Sequence, residues 1–173
     1  MIWKPSLDTP ITAIAMTEIA HRVMREQDIF TPESGDPCDI FSLVIGTDEA
    51  VGEPMIADRR LPLISATGSC RMGRRVGEVV GGRLGRSLLE LGGNNAIVLM
   101  PDADLELAIR GAVFGAVGTA GQRCTSTRRL LVHHSIVDDV VDRLRQAYAS
   151  VSIGDPLADG TLMGPLISPD SVA

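Results

Sequence analysis

Short apolar runs alternate along this chain with segments of helical spacing. Residues 41–45 (FSLVI), 61–68 (LPLISATG), 86–91 (RSLLEL), 95–100 (NAIVLM) and 128–134 (RRLLVHH) read as strands, and most are continuously apolar. Such a strand needs cover on both faces, which is the signature of a parallel sheet flanked by helices. The fold class read from this pattern is α/β. The helices fall between the runs. Residues 8–27 carry Pro10 in the first turn, with Ile11, Ile14, Ala15, Ile19 and Val23 at three-to-four spacing, after a cap at Asp8 or Thr9. A helix from Ser69 to about Val80, a long one opening at Asp102 or Asp104, and one over residues 135–151 capped by Ser135 follow the same logic. Residues 28–39 have the Pro, Gly and Asp of a loop, residues 47–60 read as a short helix plus loop, and the tail from Ile153 is turn-rich.

Composition narrows the function classes. The 16 basic and 22 acidic residues give a net charge of −6, and 45% of residues are hydrophobic, so the chain is not of the disordered type. A nucleic-acid or anionic-membrane surface needs a basic field, so neither partner is expected. No run of about 18 apolar residues occurs, and the first residues lack the basic-then-apolar order of a signal peptide. Three cysteines, Cys38, Cys70 and Cys124, show no C-x-x-C spacing. That argues against a disulfide framework or a metal site and fits a reducing, cytoplasmic setting.

Of the eighteen glycines, twelve lie between Gly68 and Gly121, where they mark tight turns or close backbone approach. Gly111, Gly115 and Gly118 suggest a closely packed helix face. Three places carry chemistry. A strand runs into Gly68-Ser69-x-x-x-Gly73 and a helix. Free N–H groups and the dipole at a helix start suit phosphate, although an ordinary glycine-capped turn reads the same way. Cys124, beside Arg123 and between glycine and small polar residues, is a candidate nucleophile, since a nearby cation favours thiolate. Cys70 at a helix start is also open to activation, and local rules do not choose between them. Glu90 ends an apolar strand before Gly92-Gly93. Burial there would raise its pKa toward general-base use; pairing with Arg83 or Arg86 is the structural alternative. Arg71, Arg74 and Arg75 read as a solvated face, His133 and His134 as surface residues, and Met16, Met24 and Met72 as packing.

Trp3-Lys4-Pro5-Ser6, Thr67-Gly68-Ser69-x-x-x-Gly73, Glu90-Leu91-Gly92-Gly93 and Gly121-Gln122-Arg123-Cys124 occur in that order. Together they resemble the NAD(P)-dependent aldehyde dehydrogenase superfamily, over essentially the whole chain. The 34 residues from Glu90 to Cys124 match that family's base-to-nucleophile interval. Residues 85–98, 102–136 and the later GPLIS are similar to the antiquitin branch, which oxidises α-aminoadipate semialdehyde, in equilibrium with piperideine-6-carboxylate. Asn94-Asn95 and Arg123 carry that narrower likeness.

The resemblance implies the second half of a variant Rossmann cofactor domain over residues 1–91 and the start of an α/β catalytic domain over residues 92–173. It implies NAD as cofactor, with NADP open because Leu7 stands where many members carry an acid that binds the ribose hydroxyls. It gives Lys4 to the adenosine ribose, Gly68, Ser69 and Gly73 to the pyrophosphate turn, and Leu91 to the cofactor site. Cys124 becomes the nucleophile, Glu90 the base that activates water, and Arg123 the partner of a substrate carboxylate. A small-molecule aldehyde is the implied partner, and a homo-oligomer the implied state of an intact parent. The family's upstream oxyanion asparagine and its downstream cofactor glutamate have no counterpart here, so the chain reads as a fragment expected to be inactive alone. A non-catalytic nucleotide-binding or interaction remnant is the competing reading, and thiol reactivity separates the two.

Overall fold

Helix α1 (Pro10–Glu26) shows how the pattern of side chains is used. Its buried stripe is Ala13, Thr17 and His21, four residues apart, and not the isoleucine stripe expected from spacing. Ile11 is 80% exposed, and Ile14, Ile19 and Val23 are exposed as well. The buried stripe satisfies its own polar atoms. The Thr17 hydroxyl donates to the Ala13 carbonyl at 2.8 Å, and His21 Nε2 lies 2.7 Å from the Phe41 carbonyl. Thr17 and His21 can therefore be covered at little cost. Met16, expected to pack, is also exposed.

The computed structural model describes residues 1–27 and 35–172, and the stretch 28–34 of the expected loop lies outside the described residues. Strand β1 (Ile2–Trp3) pairs in parallel with β2 (Ser42–Leu43), which is shorter than the apolar run around it. A short helix, α2 (Pro37–Ile40), stands where a loop was expected, so Cys38 is helical. A π turn (Asp48–Gly52), with Thr47 accepting from the Ala50 N–H, leads into α3 (Glu53–Ala57). Strand β3 (Leu63–Gly68), helix α4 (Cys70–Gly82) and strand β4 (Arg86–Leu91) follow, and β3 and β4 pair. Next come β5 (Asn95–Leu99), α5 (Leu105–Val117), a 3-10 turn (Gly118–Gly121), β6 (Thr127–Val132) and α6 (Val137–Ala149).

Among the described residues the strands form three two-stranded sheets, β1-β2, β3-β4 and β5-β6. Leu63, Leu88, Val98 and Leu131 are more than half exposed, so within this chain these strands are not covered on both faces as their composition led us to expect. The chain divides into two compact units: Met1–Ala66 with Met72–Leu89, and Thr67–Arg71 with Glu90–Ala173. The first is centred on Ile56, Val76 and Val80, with Ile64, Ala66, Met72, Val79 and Leu89 around them. Arg75 clamps Glu53 through two bonds of 3.0 and 2.8 Å, tying the start of α3 to α4. The second is centred on Leu99, Ile109 and Val140.

Two caps illustrate the local rules. Asp104 caps α5 by accepting from the Leu107 N–H at 3.0 Å. Ser135, expected to cap α6, does not. A 3-10 turn (His134–Ile136) intervenes, and the Ser135 N–H donates to His133 Nδ1 at 3.2 Å. The imidazole occupies the capping role, and α6 begins at Val137 without a side-chain cap.

Candidate active site

Strands β5 and β6 run parallel, with Ala96 opposite Arg129 and Leu99 opposite Val132. At the start of the pair Asn95 sits opposite Thr127, so the register shifts between Asn95 and Ala96, and Arg128 is the extra residue. Such a bulge redirects side chains at the end of a ladder. Here it turns Arg128 back, and Nη2 donates to the Gly121 carbonyl at 2.9 Å.

The chain between α5 and β6 is a tight turn built around Cys124. The Ser126 N–H donates to the Arg123 carbonyl at 3.2 Å, and the Arg123 N–H donates to Ser126 Oγ at 3.1 Å. The four residues Arg123 to Ser126 thus form a doubly closed turn, with Ser126 buried and Cys124 exposed at its tip. Among the described residues no acceptor takes the Cys124 N–H. Thr119 and Ala120, just before, have φ of 51° and 52°, and Gly121 has φ of 71°.

The double-glycine loop docks against this turn. Asn95 Nδ2 donates to the Cys124 carbonyl at 2.7 Å and to the Ser126 carbonyl at 3.1 Å. A methyl group on Gly93 would lie 3.3 Å from the Cys124 carbonyl and 3.0 Å from Asn95 Oδ1, so glycine eases a close approach here. On the other side, the Cys70 thiol donates to the Gly92 carbonyl at 3.5 Å. The loop between β4 and β5 therefore touches both the start of α4 and the Cys124 turn, within one unit.

Glu90 lies three residues before Gly93. Among the described residues no hydrogen bond or ion pair joins Glu90 to the Cys124 turn. Glu90 is exposed, and the burial on which its general-base role rested is absent here. Arg83, offered as its structural partner, donates instead to the carbonyls of Ile56 and Leu61. Leu91 ends β4 half-buried. Gly68 is the last residue of β3, Ser69 stands between it and α4, and Gly73 is buried in the first turns of that helix. The first N–H groups of a 13-residue helix, reached through exposed Gly68 and Ser69, suit a diphosphate. Lys4, in the other unit, places Nζ 3.0 Å from Asp48 Oδ1.

Arg123 lies over the Phe114 ring, 5.4 Å from its centroid, and a methyl at Gly118 would come within 3.2 Å of its guanidinium. A methyl at Gly115 would collide with Thr127 Oγ1, whereas Gly111 has open space around it. Two of the three helix glycines are thus at close approaches and Gly111 is not. Sequence reasoning missed the part played by Asn95 and Ser126. The available signal was an amide directly after the double glycine and a hydroxyl two residues after the cysteine.

A profile of the aldehyde dehydrogenase family matches residues 1–173. Aldehyde dehydrogenase family 7 member B4 of Arabidopsis thaliana is 47% identical over 171 residues, covering 99% of this chain and 32% of that protein. The alpha-aminoadipic semialdehyde dehydrogenase of Bos taurus is 44% identical, covering 99% and 30%. Among solved structures, an NADP-dependent enzyme of E. coli superposes with a TM-score of 0.89 at 34% identity, covering 99% of this chain and 34% of that one. Betaine aldehyde dehydrogenase of Staphylococcus aureus, in complex with NAD+, gives 0.85 at 32%, covering 98% and 31%. The chain spans about a third of the length of the curated relatives it matches.

Proposed function

The chain belongs to the aldehyde dehydrogenase family, and on that premise we propose that it carries the thiol, the carboxylate and the phosphate turn of an enzyme that oxidises an aldehyde to its carboxylic acid with NAD or NADP. Residues 1–91 supply part of the cofactor domain in this reading, and residues 92–173 part of the catalytic domain. The observation that carries it is the contact of one loop, between Glu90 and Asn95, with both the α4 start and the Cys124 turn.

The Cys124 thiolate adds to the aldehyde carbon, forming a thiohemiacetal whose oxyanion is held by the Cys124 N–H, the donor left free at the tip of the turn. The nicotinamide nucleotide, when bound, supplies a hydride acceptor. Cys124 then holds the acyl group as a thioester. Glu90 removes a proton from water, which attacks that thioester; the acid leaves and the Cys124 sulfur is returned. Gly68, Ser69 and Gly73 hold the pyrophosphate, Leu91 borders the cofactor, and Lys4 takes the adenosine ribose after releasing Asp48. Arg123 pairs with a substrate carboxylate, which its planar fork suits. A semialdehyde bearing a carboxylate, of the α-aminoadipate type, is the substrate most in keeping with the similarity to the alpha-aminoadipic semialdehyde dehydrogenases. In the full-length enzyme we read a homo-oligomer in the cytoplasm. No described helix is long and apolar enough to cross a membrane.

The exposure of Glu90 favours the second reading, a nucleotide-binding or interaction remnant without catalysis. Acyl transfer separates the two without cofactor. With p-nitrophenyl acetate, the proposed function predicts acetylation at Cys124, read by peptide mass spectrometry, and a longer-lived acetyl-thioester in Glu90→Gln. Acetylation spread equally over the thiols would favour the remnant. An unchanged lifetime in Glu90→Gln would remove Glu90 from the mechanism.

A further inference from the structure

One side-chain amide makes both contacts that hold the nucleophile's turn from outside. We propose that Asn95 is a positioning residue that aims Cys124, an inference that rests on the reading of Cys124 as nucleophile. The two N–H bonds of Nδ2 go to two carbonyls of the same turn, Cys124 at 2.7 Å and Ser126 at 3.1 Å. The Cys124 carbonyl belongs to the peptide that follows the cysteine. Fixing that peptide fixes ψ at Cys124. The Arg123–Ser126 bonds fix the turn from the inside. Together they set the direction of the Cα–Cβ bond from which Sγ projects, and they leave the Cys124 N–H without an acceptor among the described residues.

Three further features make the arrangement specific to asparagine at this place. The register shift between Asn95 and Ala96 turns the side chain out of the ladder. Gly93 admits the amide and the Cys124 carbonyl together, since a methyl there would press on both. The neighbouring Asn94 is differently engaged: with its amide oxygen turned to Arg129, it accepts from Nη2 at 2.7 Å. An aspartate at 95 offers no donor, a serine offers one, and only an amide offers two from a single nitrogen on so short a stem.

The test is site-resolved alkylation of the full chain by iodoacetamide, with Cys70 as the internal reference, across about pH 6 to 9. Asn95→Ala and Asn95→Asp should lower the Cys124:Cys70 rate ratio about tenfold, the loss of roughly one hydrogen bond's worth of positioning, and Asn95→Ser should fall between them and the parent. A parental ratio in Asn95→Ala overturns the inference while leaving the nucleophile reading intact. Equal rates for the two thiols in the unaltered chain overturn the nucleophile reading itself. If the variants unfold, both thiols react as they do in denaturant, and hydrogen exchange in the unaltered chain decides. Slowed exchange of both Asn95 Nδ2 protons supports the inference; exchange at the rate of free amide overturns it.

Discussion

At the scale of single residues, the approach to Cys124 is strained and held. Left-handed backbone at a non-glycine residue costs about 1–2 kcal/mol, and Thr119 and Ala120 both adopt it. Such strain persists where surrounding bonds over-determine it. Here Gln122 Nε2 donates to the Thr119 carbonyl at 3.2 Å, Gln122 Oε1 accepts from the Ile167 N–H at 3.0 Å, and Arg128 holds the Gly121 carbonyl. A different residue gives a test of local electrostatics. The Asp58 carboxylate accepts from the Arg60 guanidinium and from the Arg60 N–H, which lowers its pKa from 3.8 to about 2. The sign follows: the folded form binds its proton less readily than the unfolded one, so this contribution is fully present above 3.8 and is lost as pH falls toward about 2. The Asp58 carboxyl carbon, followed by NMR, should titrate with a midpoint near 2. A midpoint at the ordinary aspartate value would mean that the Arg60 contact does not exist in solution.

At the scale of elements, helix α5 separates two kinds of glycine. Gly111 meets open space, so Gly111→Ala removes backbone entropy without a clash and should stabilise by about 0.5–1 kcal/mol. Gly115→Ala gains the same propensity but drives a methyl into Thr127 at the start of β6, where overpacking costs about 1–3 kcal/mol. Denaturant midpoints of the two variants should move in opposite directions; a shared upward shift would contradict the α5–β6 contact. The element pattern itself was largely legible. β3, α4, β4, β5, α5 and β6 follow from apolar runs, caps and glycines that act locally. Burial was less so. The stripe on α1 that faces inward is Ala13-Thr17-His21, because its two polar side chains have carbonyl partners, which the pattern of hydropathy does not record. Ser135 does not cap α6 because its own N–H and hydroxyl are both engaged with His133 Nδ1 in the preceding 3-10 turn, which no capping rule for α-helices anticipates.

At the scale of the whole molecule, exposure is the dominant fact. The chain exposes 12,179 Å². The exposed large apolar side chains include Ile11, Leu63, Leu88, Val98, Leu107, Phe114 and Leu131. Strands that the sequence marks as covered on both faces are covered on one, while the local geometry of the Cys124 turn is complete. The α4 start, the double-glycine loop and the Cys124 turn were each legible as a short motif whose chemistry is local. The contacts among these three were not, because they depend on a bulge at Asn95 and on carbonyls that no side-chain pattern records. The central claim is that this turn presents Cys124 as a reactive thiol. The most direct measurement is the pseudo-first-order rate of carbamidomethylation of each cysteine in the unaltered chain at neutral pH. The account predicts that Cys124 reacts about tenfold or more faster than Cys70, which is also exposed; equal rates at the two sulfurs would contradict it.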